Sequence, residues 1–178
     1  MEIELQEAAA NDVPVLRKLM QLYLYDLGSV DGWDIGDDGT YGNAVRIEGF
    51  WDDPQRERYL VKVSGKLAGF ALTRRGTYFS GDDAREISEF FILRKHRRRG
   101  VGRRVAIELF ERFDGTWEVA VMRSNTSAQD FWQGVVADYT DQRYEEFPAD
   151  HGSTEFVVFR FTGNHRRRTS DAERRRPA

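Results

Sequence analysis

The sequence contains no cysteine, which excludes disulfides, thiolate nucleophiles and Cys-ligated zinc. Histidine is scarce: His96, His151 and His165 stand far apart without ligand spacing, so no metal site is expected. No run approaches the ~18 apolar residues of a membrane helix. The opening MEIELQEAAA also lacks the basic-then-apolar order of a secretion signal. A soluble cytoplasmic protein without a membrane partner is the expectation. Two phosphate-binding patterns are missing as well, the Gly-x4-Gly-Lys-Ser/Thr loop and the three-glycine dinucleotide fingerprint.

What is present suits one domain: 178 residues, 40% hydrophobic and 13% aromatic, enough to bury a single substantial core. Net charge is only -3, but the charge is segregated. Between Asp26 and Glu57 nine acids face only Arg46 and Arg56. From Arg94 to Arg104 seven of eleven residues are Arg or Lys, and the last sixteen residues carry six arginines against two acids. Charge runs are commonly solvated faces, and that reading serves for the tail. A nucleic-acid partner would call for aromatics interleaved with the arginines, and none are interleaved here.

Along the chain, Ile3 and Leu5 alternate with polar residues as a first strand. Asn11 or Asp12 can cap the helix that follows, with Pro14 in its first turn and Leu16, Leu19, Met20 and Leu24 on its apolar side. That helix is expected to end near Gly28, and Ser29 to Phe50 reads as a long loop or broken helix. Tyr59–Val63 and Leu67–Thr73 flank Ser64, Gly65 and Lys66 as a hairpin, and a strand runs from about Arg85 to Leu93. A helix follows Gly102, with Val105, Leu109 and Phe113 four residues apart; Trp117 to Met122 is another strand, and Arg143 to Phe161 supplies a last pair. The fold class is α/β, a mixed and mostly antiparallel central sheet flanked by helices. The domain spans 1–162 and a basic tail without apolar residues spans 163–178, which is expected to be disordered.

The order strand, Gly-containing turn, helix in RKHRRRGVGRRVAIELF is an anion site by its physics. The glycines let the backbone turn tightly and approach a ligand, and the first N–H groups of the helix point at it.

Arg97-Arg98-Arg99-Gly100-Val101-Gly102 resembles the R/Q-x-x-G-x-G/A signature of GNAT acyltransferases. Downstream, Asn125-x-x-Ala128-x-x-Phe131-Trp132 is similar to that family's N-x-x-A-x-x-F-Y element. The resemblance runs from about Ile3 to Phe161 and is best between Glu86 and Val136; it looks closest to a bacterial subgroup of predicted acetyltransferases. It implies an N-acetyltransferase that passes an acetyl group from acetyl-CoA directly to a primary amine. The acceptor is a small molecule or peptide, expected to be cationic because the acidic stretch would lie on its side. A homodimer is compatible with this reading. It further implies that the backbone from Arg98 to Arg103, helped by cationic side chains, anchors the pyrophosphate, while the strand edge at Phe91, Ile92 and Leu93 pairs with the pantetheine arm.

Two positions depart from the family pattern. Arg94 stands where many members have proline, which is expected to alter only backbone stiffness. Trp132 stands where many have the tyrosine that protonates the leaving thiolate, and an indole N–H is no acid at neutral pH. Tyr139, seven residues on, is about 10 Å away along a helix and too far to substitute. The missing tyrosine is the one argument for the alternative class, a non-catalytic acyl-CoA sensing domain. For the base that takes the amine's proton, Glu89 and Glu86 are the candidates. Three apart, they point to opposite faces of a regular strand unless a bulge intervenes. Glu89, between Ser88 and two phenylalanines, is favoured, with an ion pair to Arg74 or Arg75 as its plain structural alternative.

Overall fold

The computed structural model describes residues 1–41 and 49–163. One seven-stranded sheet organises them, in the order β1 (Ile3–Glu7), β2 (Arg56–Val63), β3 (Lys66–Thr77), β4 (Gly81–Ile92), β5 (Gly115–Met122), β7 (Thr154–Gly163) and β6 (Glu145–His151). All neighbours are antiparallel except β4 and β5. Helices α1 (Val13–Asp31) and α2 (Gly49–Asp52) lie over one face, and α3 (Val101–Phe110) and α4 (Thr126–Thr140) over the other.

Local chemistry accounts for these elements. Ser64 and Gly65 both have positive φ (49° and 72°), the two-residue turn whose twist matches the strands it joins, so β2 and β3 pair at once. α1 buries Leu16, Leu19, Met20 and Leu24, the i, i+3, i+4, i+8 stripe of a one-sided helix. It runs past Gly28 and stops three residues later than expected, where Gly32 turns left-handed (φ 72°) and its N–H bonds the Gly28 carbonyl at 2.8 Å. Gly28 is instead a packing residue, because a Cβ there would meet the Tyr41 ring at 3.2 Å. Asp12 precedes α1 without capping it; its carboxylate accepts from the Ala9 amide at 2.9 Å. β4 also starts earlier than its pattern suggests, at Gly81.

The sheet divides the apolar residues into two cores. Phe70, Leu72, Leu60 and Phe91 pack under α1, while Val105 and Phe110 of α3 pack in the other core with Trp117 and Phe159 of the sheet. Each fully buried side chain of this size contributes about 1.5–3 kcal/mol. At Gly69 the fit leaves no room: a Cβ would stand 2.0 Å from the Phe91 carbonyl oxygen, so any side chain there forces β3 away from β4. Gly163, expected to open the tail, closes β7 opposite Gly115. Residues 164–178, like Arg46 and Glu48 of the charged stretch, lie outside the described residues. No helix among the described residues is long and apolar enough to cross a membrane.

Candidate active site

The site follows from one break in the sheet. β4 and β5 pair only at Ala84–Thr116, Arg85–Trp117 and Glu86–Glu118. Beyond Glu86 the two parallel strands separate, and a cavity of about 320 Å³ opens between them. Its walls include Ile87 to Phe90 of β4, Val119 to Met122 of β5, and Trp132.

A bulge in β4 sets which side chains look toward α1. Leu72 of β3 faces Glu89, but the next residue, Thr73, faces Ile87, so Ser88 is the extra residue. The condition for Glu86 and Glu89 to share a face is therefore met: they oppose Arg74 and Leu72, two apart on β3. Their fates differ. Glu86 is buried and its carboxylate lies 2.7 Å from Arg74 Nε, with a hydrogen bond from Ser88 Oγ at 3.1 Å. Burial lifts its pKa above the ordinary carboxylate value, against the pull of Arg74.

Glu89 is half-buried at the cavity wall, and no cation among the described residues acts on it, so the ion pair allowed for Glu89 belongs to Glu86. Burial pushes its carboxyl up to about 7, opposed by the Tyr23 hydroxyl, which is directed at it as a donor, and aided by the charge of Glu86. Tyr23 is held well above its own usual value, first by burial and then by Glu89. It therefore stays a donor at neutral pH.

At the far end of β4 lies the basic turn. Arg94–His96 form a single 3-10 turn, Gly100 is left-handed (φ 76°), and α3 starts at Val101. The amides at the start of a helix have no carbonyl one turn back, so those of Val101, Gly102 and Arg103 are available to an anion. The two glycines act differently. A Cβ on Gly100 would meet nothing within 4 Å, and there the requirement is the positive φ. A Cβ on Gly102 would stand 3.2 Å from the Phe131 ring, so Gly102 serves the close approach of α3 to α4 rather than a ligand.

The arginines are not equivalent either. Arg98 and Arg99 are exposed, and Arg103 pairs with Asp138 at 2.9 Å. Arg97 donates through Nε to the Ile92 carbonyl at 2.6 Å, ion-pairs with Asp26 and lies over the Phe91 ring. Arg94, whose replacement of proline was expected to affect only stiffness, puts its guanidinium on Asp26 at 2.8 Å.

Of the strand residues expected at the donor edge, Phe91 is buried toward α1 and Ile92 toward α3, and neither side chain lines the cavity. The Leu93 amide is committed to the Ala68 carbonyl at 2.8 Å. Asn125 caps α4, accepting from the Ala128 amide at 3.1 Å, and it lines the cavity together with Ala128 and Trp132. Trp132 packs edge-on against Phe90 and Phe131, with ring centroids 5.0 and 4.9 Å away. Tyr139 is core, against Phe110 and Phe161.

Other residues of the site carry no sequence pattern. The tip of the β3–β4 hairpin crosses the face of the sheet and places Tyr78 and Phe79 in the cavity wall opposite His151 and Phe156. Nothing in the sequence singles out Tyr23, and Asp26 stands there only as the first acid of the charged stretch. Of the acids from Asp26 to Glu57, read as an acceptor-side field, three are held in ion pairs, Asp26 with Arg94 and Arg97, Asp53 with Arg56 and Glu57 with Arg85, while Asp31, Asp34, Asp37, Asp38 and Asp52 are exposed.

An open parallel strand pair with a basic turn and helix at its end fits the acyltransferase class. The sequence profile of the Acetyltransferase (GNAT) family matches residues 21–135, and the chain belongs to that family. Its fold is shared with an acetyltransferase from Thermus thermophilus at 17% identity and a TM-score of 0.65, covering 91% of this chain and 97% of that one. The ribosomal-protein-S18-alanine N-acetyltransferase of Escherichia coli matches at 15% identity and 0.58, with 92% and 95% covered. Spermidine N-acetyltransferase from Vibrio cholerae, solved with CoA and spermine, matches at 13% identity and 0.58, with 90% and 95% covered. No curated protein matches in sequence.

Proposed function

We propose that this acyltransferase moves an acetyl group from acetyl-CoA directly to a primary amine, with Glu89 accepting the proton that the nitrogen sheds. The observation that carries the reading is the Glu89 carboxyl itself. It has no cation partner among the described residues, it has a raised affinity for protons, and it lies in the cavity where β4 leaves β5. A carboxyl near 7 is matched to deprotonating an ammonium at neutral pH, whereas one held by an arginine is not.

The donor fits the other end. Pyrophosphate would meet the left-handed turn at Gly100 and the first amides of α3, with Arg98 and Arg99 free to approach from solvent. The pantetheine arm would lie along the stretch of β4 that β5 leaves unpaired, between Phe90 and the wall formed by Asn125, Ala128 and Trp132. The nitrogen lone pair then attacks the thioester carbonyl carbon, the C–S bond breaks, and the thiolate departs. With a thiol pKa of about 8.5 it needs no dedicated acid, so the tryptophan at 132 is tolerated.

The neighbours named for spermidine and for the S18 alanine support an amine acceptor as a class. The test is thiol release from acetyl-CoA across polyamines, aminoglycosides, amino acids, peptide N-termini and simple alkyl and aryl amines. Turnover with at least one amine, lost in Glu89→Gln, is expected. CoA binding with no turnover on any amine would overturn the proposal.

A further inference from the structure

The acceptor end of the cavity has a composition of its own. Where β3 turns into β4 the ladder shifts register between Arg75 and Thr77, and Gly76 and Gly81 both take positive φ (84° and 75°). The tip between them bends across the sheet instead of continuing along it. Three contacts pin it there. Ser80 Oγ donates to Glu118 of β5, the Phe79 ring meets Phe156 of β7 at 6.0 Å, and the Tyr78 ring meets His151 of β6 at 4.1 Å. Arg74 lies 4.1 Å from the Tyr78 ring. The tip is thus a strap that roofs this end of the cavity with aromatic rings, and Trp33 and Leu27 from the α1 side complete the apolar wall.

Charge in this wall is sparse and mostly cancelled. Glu86 is matched by Arg74 at 2.7 Å, and Glu118, behind the strap, by Arg160 at 2.8 Å. Glu89 alone has no cation acting on it among the described residues. One uncompensated carboxylate can receive one ammonium. A second ammonium carried further into the rings would be desolvated without a partner, which an apolar environment penalises heavily. The size of the space argues the same way: about 320 Å³ is at the small end for ligand pockets, and it must also admit the thioester.

Resting on the amine transfer proposed above, we infer that the acceptor is a small monoamine with an aromatic body. Its nitrogen sits at Glu89 and its ring sits under the Tyr78–Phe79 strap. Phe79 and Tyr78 are then specificity-determining residues, holding the ring by stacking and edge contacts while the ammonium is drawn to the single open carboxylate. This differs from what a polyamine demands, which is a row of unpaired carboxylates.

The experiment compares kcat/KM of the full chain for 2-phenylethylamine, n-propylamine and spermidine with acetyl-CoA. Phenylethylamine is expected to exceed both others at least tenfold. In Phe79→Ala the preference for phenylethylamine over propylamine should narrow at least tenfold, mainly through KM; Phe79→Leu, which keeps apolar bulk, should retain more of it and serves if the alanine variant does not fold. Spermidine or propylamine turned over as well as phenylethylamine, with loss in Glu89→Gln, would overturn this inference and leave the amine transfer standing. An unchanged preference in a folded Phe79 variant would likewise overturn it. If no amine is acetylated while calorimetry shows CoA binding, both proposals fall together.

Discussion

The two ends of the proposed site are built from different materials. At the basic turn the groups open to a ligand are backbone: a left-handed Gly100 and the opening amides of α3, fixed by a helix stripe and two glycines. At the acceptor end they are side chains gathered from distant segments, with Tyr23 from α1, Glu89 from a bulged strand, and Tyr78 and Phe79 from a bent hairpin tip meeting β6 and β7. A backbone site binds what is common to many reactions, because any sequence that keeps the turn keeps the amides. A side-chain site can be rebuilt one residue at a time. Donor recognition should therefore tolerate side-chain changes, and acceptor chemistry should not.

The largest effect is expected at Glu89. General-base catalysis is worth about 10²- to 10⁴-fold, so Glu89→Gln should lose turnover in that range while CoA affinity by calorimetry stays within about twofold. In the wild type kcat/KM should rise with pH through about 7, where the Glu89 carboxyl releases its proton. The Gln variant should lack that limb and recover only as the free amine deprotonates. Glu86→Gln separates the two carboxylates: it breaks the ion pair with Arg74 and is expected to cost less turnover than Glu89→Gln. A full-rate Glu89→Gln with a crippled Glu86→Gln would reverse the assignment.

The same carboxyl should cost stability. A Glu raised from its ordinary value to about 7 holds a proton in the folded state that the unfolded chain has already released. Stability then falls as pH rises from about 4.5 to about 7, and the full penalty is present above that window. Glu89→Gln removes it, so the variant should melt higher than wild type at pH 8 and no higher at pH 4.5. After allowance for solvent at a half-buried site the gain is about 1–3 kcal/mol. Equal differences at both pH values would mean the Glu89 carboxyl is not raised.

Gly100→Val tests the other end. Holding a β-branched residue at φ 76° costs about 1–2 kcal/mol, and a turn that relaxes to escape this re-aims the amides. About tenfold weaker CoA binding is expected, with the acceptor preference unchanged. Replacing the exposed Arg99 by Gln should matter less than this, within about threefold, since its charge is screened by solvent.

That division also governs what the sequence discloses. The turn at Gly100 and the stripes of α1 and α3 are local, set by residues within a few positions of one another, and they read correctly. The bulge at Ser88 does not: nothing in Glu-Ile-Ser-Glu announces an extra residue, which appears only when β3 supplies the register. The strap is likewise invisible, because Tyr-Phe-Ser in a hairpin tip looks like any exposed turn until Gly76 and Gly81 bend it onto β5 and β7. Asp26 is hidden in the same manner, standing first in an acidic stretch yet committed to Arg94 and Arg97 far along the chain, while Asp34 and Asp37 of that stretch stay exposed.

Trp132 is where the two ends meet, and a modest effect on turnover is expected there. It is buried at 6% exposure, edge-on to Phe90 and Phe131, and it forms wall beside the space where the thioester would lie. If its part is packing, Trp132→Phe should keep turnover within about tenfold, because a thiolate whose conjugate acid has a pKa of about 8.5 leaves without help. The lost ring volume should appear instead as about 1–3 kcal/mol of stability, read from the melting curve, since a smaller ring leaves the neighbouring aromatics only partly able to close in. Trp132→Tyr restores a phenol where many relatives of this fold carry one. Any gain in kcat should be confined to pH above 8, where solvent protonation of the thiolate becomes slow. A folded Trp132→Phe that loses more than about a hundredfold in kcat at unchanged CoA affinity would give the indole a part in the chemistry, and the wall between donor and acceptor would then be neither purely backbone nor purely packing.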